Sequence, residues 1–139
     1  MKNMNCELCA ASDEVLLWSD KQCRVILVDD ADYPGFCRVI WNAHIKEMSD
    51  LDFEDRVAFM NTVLAVEHAV REVMQPLKIN LASLGNVTPH LHWHVIPRYL
   101  NDKHFPNPIW GQALRKTRNS GIAEIHNRLS SAIQKKLTA

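Results

Sequence analysis

The order of local signals predicts an α+β fold, a five-stranded antiparallel sheet with two main helices. Runs rich in β-branched and aromatic residues recur at 15–18, 23–28, 36–41, 78–84 and through 90–99, each bounded by turn-forming residues. Helical spacing of apolar residues is confined to 52–75 and to the stretch beginning at Ile122. Strands in one run, with one helix inserted and another appended, favour a layered antiparallel arrangement. No repeat or low-complexity tract marks a second unit. Residues 1–139 are therefore expected to form one domain, with an irregular segment and a helix after residue 100.

The first two strands are separated by Ser19, Asp20 and Lys21, a hairpin-like break. Residues 29–35 are polar and end in Pro34 and Gly35, which reads as a turn. Cys23 and Cys37 fall inside apolar strands and are expected to pack as buried thiols. Ser49 to Asp52 has the form of a capping box, with Asp in place of Glu or Gln. The helix behind it has Phe53, Val57, Met60, Leu64, Val70 and Met74 near helical spacing, and Pro76 ends it. His68, inside that helix, has no partner motif and reads as a surface residue. The irregular stretch 101–111 is expected to carry an exposed His104 or a buried Trp110. In the last helix Ile122, Ile125, Leu129, Ile133 and Leu137 form one stripe, with Ser120 or Gly121 at its start and His126 structural or exposed.

Charge narrows the function classes. Lys+Arg and Asp+Glu both number 16, so there is no basic excess to attract a nucleic-acid polymer, although a few local groups can still hold a small anion. The first residues lack the apolar core of a signal peptide, and no run approaches membrane-spanning length. A cytoplasmic protein without a membrane partner is expected. Its four cysteines then read as thiols or metal ligands rather than disulfides. Cys6 and Cys9 form a C-x-x-C pair, a spacing that suits one metal ion and also a redox couple.

The chemistry concentrates at His90, His92 and His94, which alternate with Leu91, Trp93 and Val95. A strand places alternate side chains on opposite faces, so three imidazoles share one face and the apolar residues can enter a core. A helix would scatter them. Three roles are open: a metal held by all three, plain surface structure, or a division of labour. Residues i and i+4 of a straight strand stand roughly 13 Å apart at about 3.3 Å per residue, too far for one metal without a bend. In the third role one neutral imidazole attacks while a neighbour, protonated, holds phosphate or protonates a leaving group. The loop 85–89 could offer backbone N–H groups to phosphate.

The run from His90 to Ile96 matches the H-x-H-x-H-x-x signature of the histidine-triad (HIT) family, which this chain resembles from residue 6 to 98. Asn80, Gly85 and Asn86 before the triad, Pro97 and Arg98 after it, and Pro34 with Gly35 upstream extend the likeness. The resemblance implies a homodimer acting on nucleotides. The reaction would be hydrolysis or transfer at the α-phosphorus of dinucleoside polyphosphates, nucleotidyl conjugates or phosphoramidates. It makes His92 the nucleophile that carries a nucleotidyl group, with His94 on the phosphate and assisting the leaving group. Asn80 and Asp29 (or Asp30) would lie near ribose and phosphates, and Gly85, Asn86 and Thr88 would form the phosphate-side loop. One branch of the family has a structural zinc, and its ligand positions match Cys6, Cys9, His44 and His90. Phe36 stands where many members have a histidine, Val87 where they have Ser or Thr, and Asn86 where they have Gln. These departures keep two alternatives open: a nucleotide-binding module with little catalysis, and a hydrolase whose metal sits on the triad itself.

Overall fold

A computed structural model describes residues 3, 5–117 and 122–138 of the chain. Its elements are β1 (Val15–Ser19), β2 (Cys23–Leu27), β3 (Cys37–Trp41), α1 (Phe53–Met74), β4 (Lys78–Ala82), β5 (His92–Arg98) and α2 (Ile125–Thr138). The five strands form one antiparallel sheet, as the sequence predicts, and their order is β1-β2-β3-β5-β4. At the β1–β2 turn the Asp20 carboxylate accepts the N–H groups of Gln22 at 2.9 Å and Cys23 at 2.8 Å, which closes the hairpin.

Helix α1 starts one step differently from the expected box. Glu47 and Asp50 form a reciprocal capping box around a short 3-10 turn, Met48–Asp50. Asp52 alone caps α1, accepting the Asp55 N–H at 2.8 Å. Gln75 ends the helix in the left-handed conformation just before Pro76. The turn into β3 needs Gly35, whose φ is +86° and where a Cβ would sit 2.7 Å from the Met74 side chain.

One face of the sheet carries a continuous core. Val25, Val39, Trp41, Ile79 and Val95 pack there against Phe59, Val63, Val66, Val70 and Met74 of α1 and Leu129 and Ile133 of α2. Cys23 and Cys37 are buried in it, as expected, and burial pushes both thiols up to about 12. The α1 stripe read from sequence is corrected in part. Val70 and Met74 do face the core, but Phe53 is 71% exposed, and Val57 and Leu64 also face outward. This helix has two apolar stripes, and the one that meets the sheet runs through Phe59, Val63, Val66 and Val73. The α2 stripe packs on the core as read, but the helix begins at Ile125: Ile122 precedes it, Glu124 has a φ of +56°, and Ser120 and Gly121 lie outside the described residues.

The opposite face carries two smaller clusters with a gap between them. Cys6, Leu8, Ile26 and Ile40 bring the N-terminal segment onto the sheet at one side. Tyr33, Phe36 and Ile96 gather at the other, against Ile109 of the irregular segment. That segment is anchored by Arg98 and Asp102, each side chain 2% exposed. The guanidinium donates to the carboxylate from Nε at 2.8 Å and Nη2 at 3.0 Å, to Asn80 Oδ1 at 2.7 Å and to the Asn107 carbonyl at 2.8 Å. The Asp102 carboxylate also accepts the N–H groups of Tyr99, His104 and Phe105. Burial works to raise its pKa, but the Arg98 and backbone donors win and hold it at about 2.

The expectation for 101–111 is reversed at both residues. His104 is half-buried, its Nδ1 2.6 Å from the Tyr33 hydroxyl, and Trp110 is 52% exposed. The anchors in this segment are polar, so the indole is free to face outward.

Replacing Asp102 by Ala leaves a buried guanidinium without its counter-charge. Unfolding in urea should show a loss of about 3–5 kcal/mol, since breaking one partner of a buried pair costs that much.

Candidate active site and metal centre

The triad strand bends at its start. His92 and His94 lie in β5 with their side chains on the face opposite the core, paired across β3 with Ile40 and Arg38. His90 precedes the strand, although Leu91 keeps its backbone beside β3 by donating to the Ile45 carbonyl at 2.7 Å and accepting from Trp41 N–H at 3.1 Å. That departure turns His90 away from the other two imidazoles.

His90 faces the N-terminal segment. Its Nδ1 lies 3.3 Å from Cys6 Sγ and 3.4 Å from Cys9 Sγ, and His44 Nδ1 is 3.4 Å from Cys9 Sγ. The four ligand atoms all lie within 4.8 Å of one another, so the group can hold a metal ion. Two thiolates and two imidazoles around one ion form a tetrahedron whose edges are roughly 3.4–3.8 Å at usual bond lengths, which these separations fit. The other nitrogen of His90 supports the fit. A carbonyl can only accept, so Nε2, 2.5 Å from the Trp41 carbonyl, carries the proton and Nδ1 keeps its lone pair for a metal. Among the described residues this is the one ligand cluster of the kind, and it takes in only the first triad histidine.

The same argument fixes His92. Its Nδ1 lies 2.5 Å from the His90 carbonyl, so Nδ1 is protonated and Nε2 bears the lone pair. Burial, partly offset by that bond, lowers its pKa from the ordinary value. His94 is pushed down further, to about 3, chiefly by burial, then by the Arg38 charge and by repulsion from His92 where both would be protonated. Both are neutral at pH 7, and His94 is not the protonated imidazole that the sequence suggested.

The two imidazoles, with ring centroids 4.9 Å apart, line a cavity of about 380 Å³. Gly85, Asn86, Val87 and Thr88 form one wall, Glu7 and Leu8 from the C-x-x-C turn another, and Trp110 a third. The Trp110 ring is 5.0 Å from His94, and Phe36 meets His94 from the other side at 5.6 Å. Val87 is 93% exposed and brings no hydroxyl to the wall.

Two expected substrate residues lie elsewhere. Asn80 is on the histidine face of β4 but outside this cavity, engaged by Arg98. Asp29 lines a neighbouring depression that Arg38 and Glu7 also line. His68 is exposed, and His126 meets the Leu16 carbonyl at 3.0 Å. Glu7, Leu8, Arg38, Leu84 and Trp110 line the cavity and were not read as site residues from the sequence. Alternation places Arg38 opposite the core residues Cys37 and Val39, and that was its only available signal.

The comparisons agree with this geometry. The HIT domain model matches residues 10–101, and the chain belongs to that family. The crystal structure of a histidine triad protein from Bradyrhizobium japonicum is 29% identical, with a TM-score of 0.72 over 89% of this chain and 90% of that one. A histidine triad protein from Marinobacter aquaeolei is 28% identical, with a TM-score of 0.72 over 95% and 93%. A zinc-bound histidine triad family protein from Mycobacterium smegmatis shares the fold at 23% identity, with a TM-score of 0.68 over 97% of both chains. A search of curated proteins finds no match.

The His94 shift has a stability consequence. The unfolded chain takes up the proton near 6.5 and the folded chain near 3, so this contribution is complete above pH 6.5 and is lost as pH falls towards 3. In His94→Gln the pH slope of the unfolding free energy across that window should shrink by about one proton, measured by urea titration at stepped pH.

Proposed function

We propose that this protein is a nucleotide phosphohydrolase or nucleotidyl transferase. It acts at the α-phosphorus of dinucleoside polyphosphates or nucleotidyl conjugates through a covalent adduct on His92. The observation that carries the reading is the bond from His92 Nδ1 to the His90 carbonyl, which leaves Nε2 as the unprotonated nitrogen for the cavity that His92 lines. Family membership supports nucleotide hydrolase or transferase chemistry.

The residues divide the work. His92 Nε2 attacks phosphorus, a P–N bond forms, and the leaving group departs with the electron pair of its broken P–X bond. It takes a proton from water while His94 hydrogen-bonds to it. Water then attacks, giving its proton to the hydroxide left by the first step, the P–N pair returns to Nε2, and the monophosphate is released. Gly85, Asn86 and Thr88 hold the phosphate side, and Trp110 offers a stacking face to an aromatic part of the substrate. Asp29 takes the ribose from the neighbouring depression. Asn80 acts by fixing Arg98. A binding module with little turnover is the second reading, favoured by Phe36 against His94 and by the exposed Val87.

The metal is zinc, held by Cys6, Cys9, His44 and His90 in a closed structural site. When bound, it fixes the N-terminal turn to the start of the triad strand. The outward stripe of Phe53, Val57 and Leu64 and the open edge of β4 support a homodimer. No helix among the described residues is long and apolar enough to cross a membrane, consistent with a single domain acting in the cytoplasm.

His92→Ala should lower turnover of an adenosine phosphoramidate or diadenosine polyphosphate by at least about 1000-fold with the fold retained. Unchanged turnover would sink the covalent reading. Elemental analysis should find zinc in the wild type and little in Cys6→Ser, and chelation should lower the melting temperature before it touches chemistry. Protein purified without chelator and carrying no metal would remove the zinc assignment.

A further inference from the structure

We infer that Arg38 is the phosphate-binding cation of this site, its guanidinium taking the charge of the α-phosphate oxygens while His92 attacks. The inference rests on the reading of the site given above and adds the group that carries the positive charge.

Four observations place Arg38 in this role. It stands directly across from His94 on β3, on the same face of the sheet. It lines the cavity with His92 and His94, and among the described residues no other Lys or Arg does so. Two carboxylates act on it, Glu7 and then Glu14; Glu14 is engaged by Arg24 at 2.6 Å, and Glu7 shares the cavity wall without pairing with the guanidinium. Among the described residues no carboxylate comes within ion-pair distance of Arg38. Its Nε is buried without a hydrogen-bond partner, a cost that a bound anion would offset. The Phe36 ring lies beside the guanidinium, 6.0 Å from it to the centroid.

Position fits the ligand as well as charge does. Arg38 lines both the histidine cavity and the depression that holds Asp29. A substrate with its phosphorus at His92 and its ribose towards Asp29 must pass the guanidinium with its phosphate. His94 cannot supply the charge in the free protein, since it stays neutral down to about pH 3. The wall residue Val87 offers no hydroxyl, so the planar fork of Arg38 is the strongest donor set at hand. During attack the Nε2–P bond forms and the P–X bond breaks with its pair on X. Non-bridging oxygens carry negative charge throughout, and a fixed cation beside them lowers the barrier.

The test compares wild type, Arg38→Met, Arg38→Gln and Arg38→Lys. Each is assayed for kcat and KM on an adenosine phosphoramidate and a diadenosine polyphosphate, and for AMP and GMP binding by calorimetry. Both neutral variants should lose about 100-fold in kcat/KM and bind the monophosphates at least about 10-fold more weakly, with melting temperatures near wild type. Arg38→Lys should recover part of both losses, because charge returns without the fork. A folded Met or Gln variant with kcat/KM and monophosphate affinity within about twofold of wild type would overturn the role of Arg38 while leaving His92 chemistry intact. Wild type that neither turns over these substrates nor binds the monophosphates would overturn the reading of the site, and Arg38 with it.

Discussion

The bond from His92 Nδ1–H to the His90 carbonyl is the constraint on which the site depends. It is two residues long, so it ties the ring orientation of one histidine to the backbone of another. The second residue is itself fixed twice, by Nε2 on the Trp41 carbonyl and by Nδ1 among the Cys6 and Cys9 sulfurs. Any movement of the ligand cluster is passed to His92 through one peptide unit. A metal ion placed there would act on chemistry without touching substrate, by holding still the carbonyl that selects the tautomer.

The sheet supports this arrangement by being different on its two sides. Both helices bury the apolar alternation of β2, β3 and β5 in one core, which pins the register and keeps His92 and His94 on the far face. On that face a full apolar layer would leave no space for a ligand. Two small clusters stand there instead, and the cavity opens between them. The side built from 99–111 is held mainly by polar groups. A carboxylate with a guanidinium and three backbone N–H donors needs defined geometry, so it fixes the segment's path better than apolar contact alone.

How far this could be read from the chain differs by residue. Period-two alternation made the triad strand, its register and its apolar side plain, whereas the ligand set Cys6, Cys9, His44 and His90 came from the family resemblance, the C-x-x-C spacing alone being compatible with a redox pair as well. The bend that separates His90 from His92 was not visible, because it depends on pairing with Ile45 and Trp41 far away in sequence. The stripe on α1 was chosen wrongly at Phe53, Val57 and Leu64 because two apolar stripes share the helix and spacing cannot say which one meets a sheet. Arg38 and Trp110 stand 72 positions apart and meet only in the cavity, so neither carried a local pattern. Trp110 was also misjudged by type: a large ring suggested burial, but its neighbours had already been fixed by Asp102.

The walls of the cavity come from two segments outside the sheet, one tied to His90 just before β5 and the other to Arg98 at its end. Glu7 and Leu8 ride on a turn pinned by Cys6 and Cys9, and Trp110 rides on a segment pinned by Asp102. Chemistry and shape therefore come from different stretches of this chain: β5 supplies the two imidazoles, while Glu7, Leu8 and Trp110 bound the space beside them.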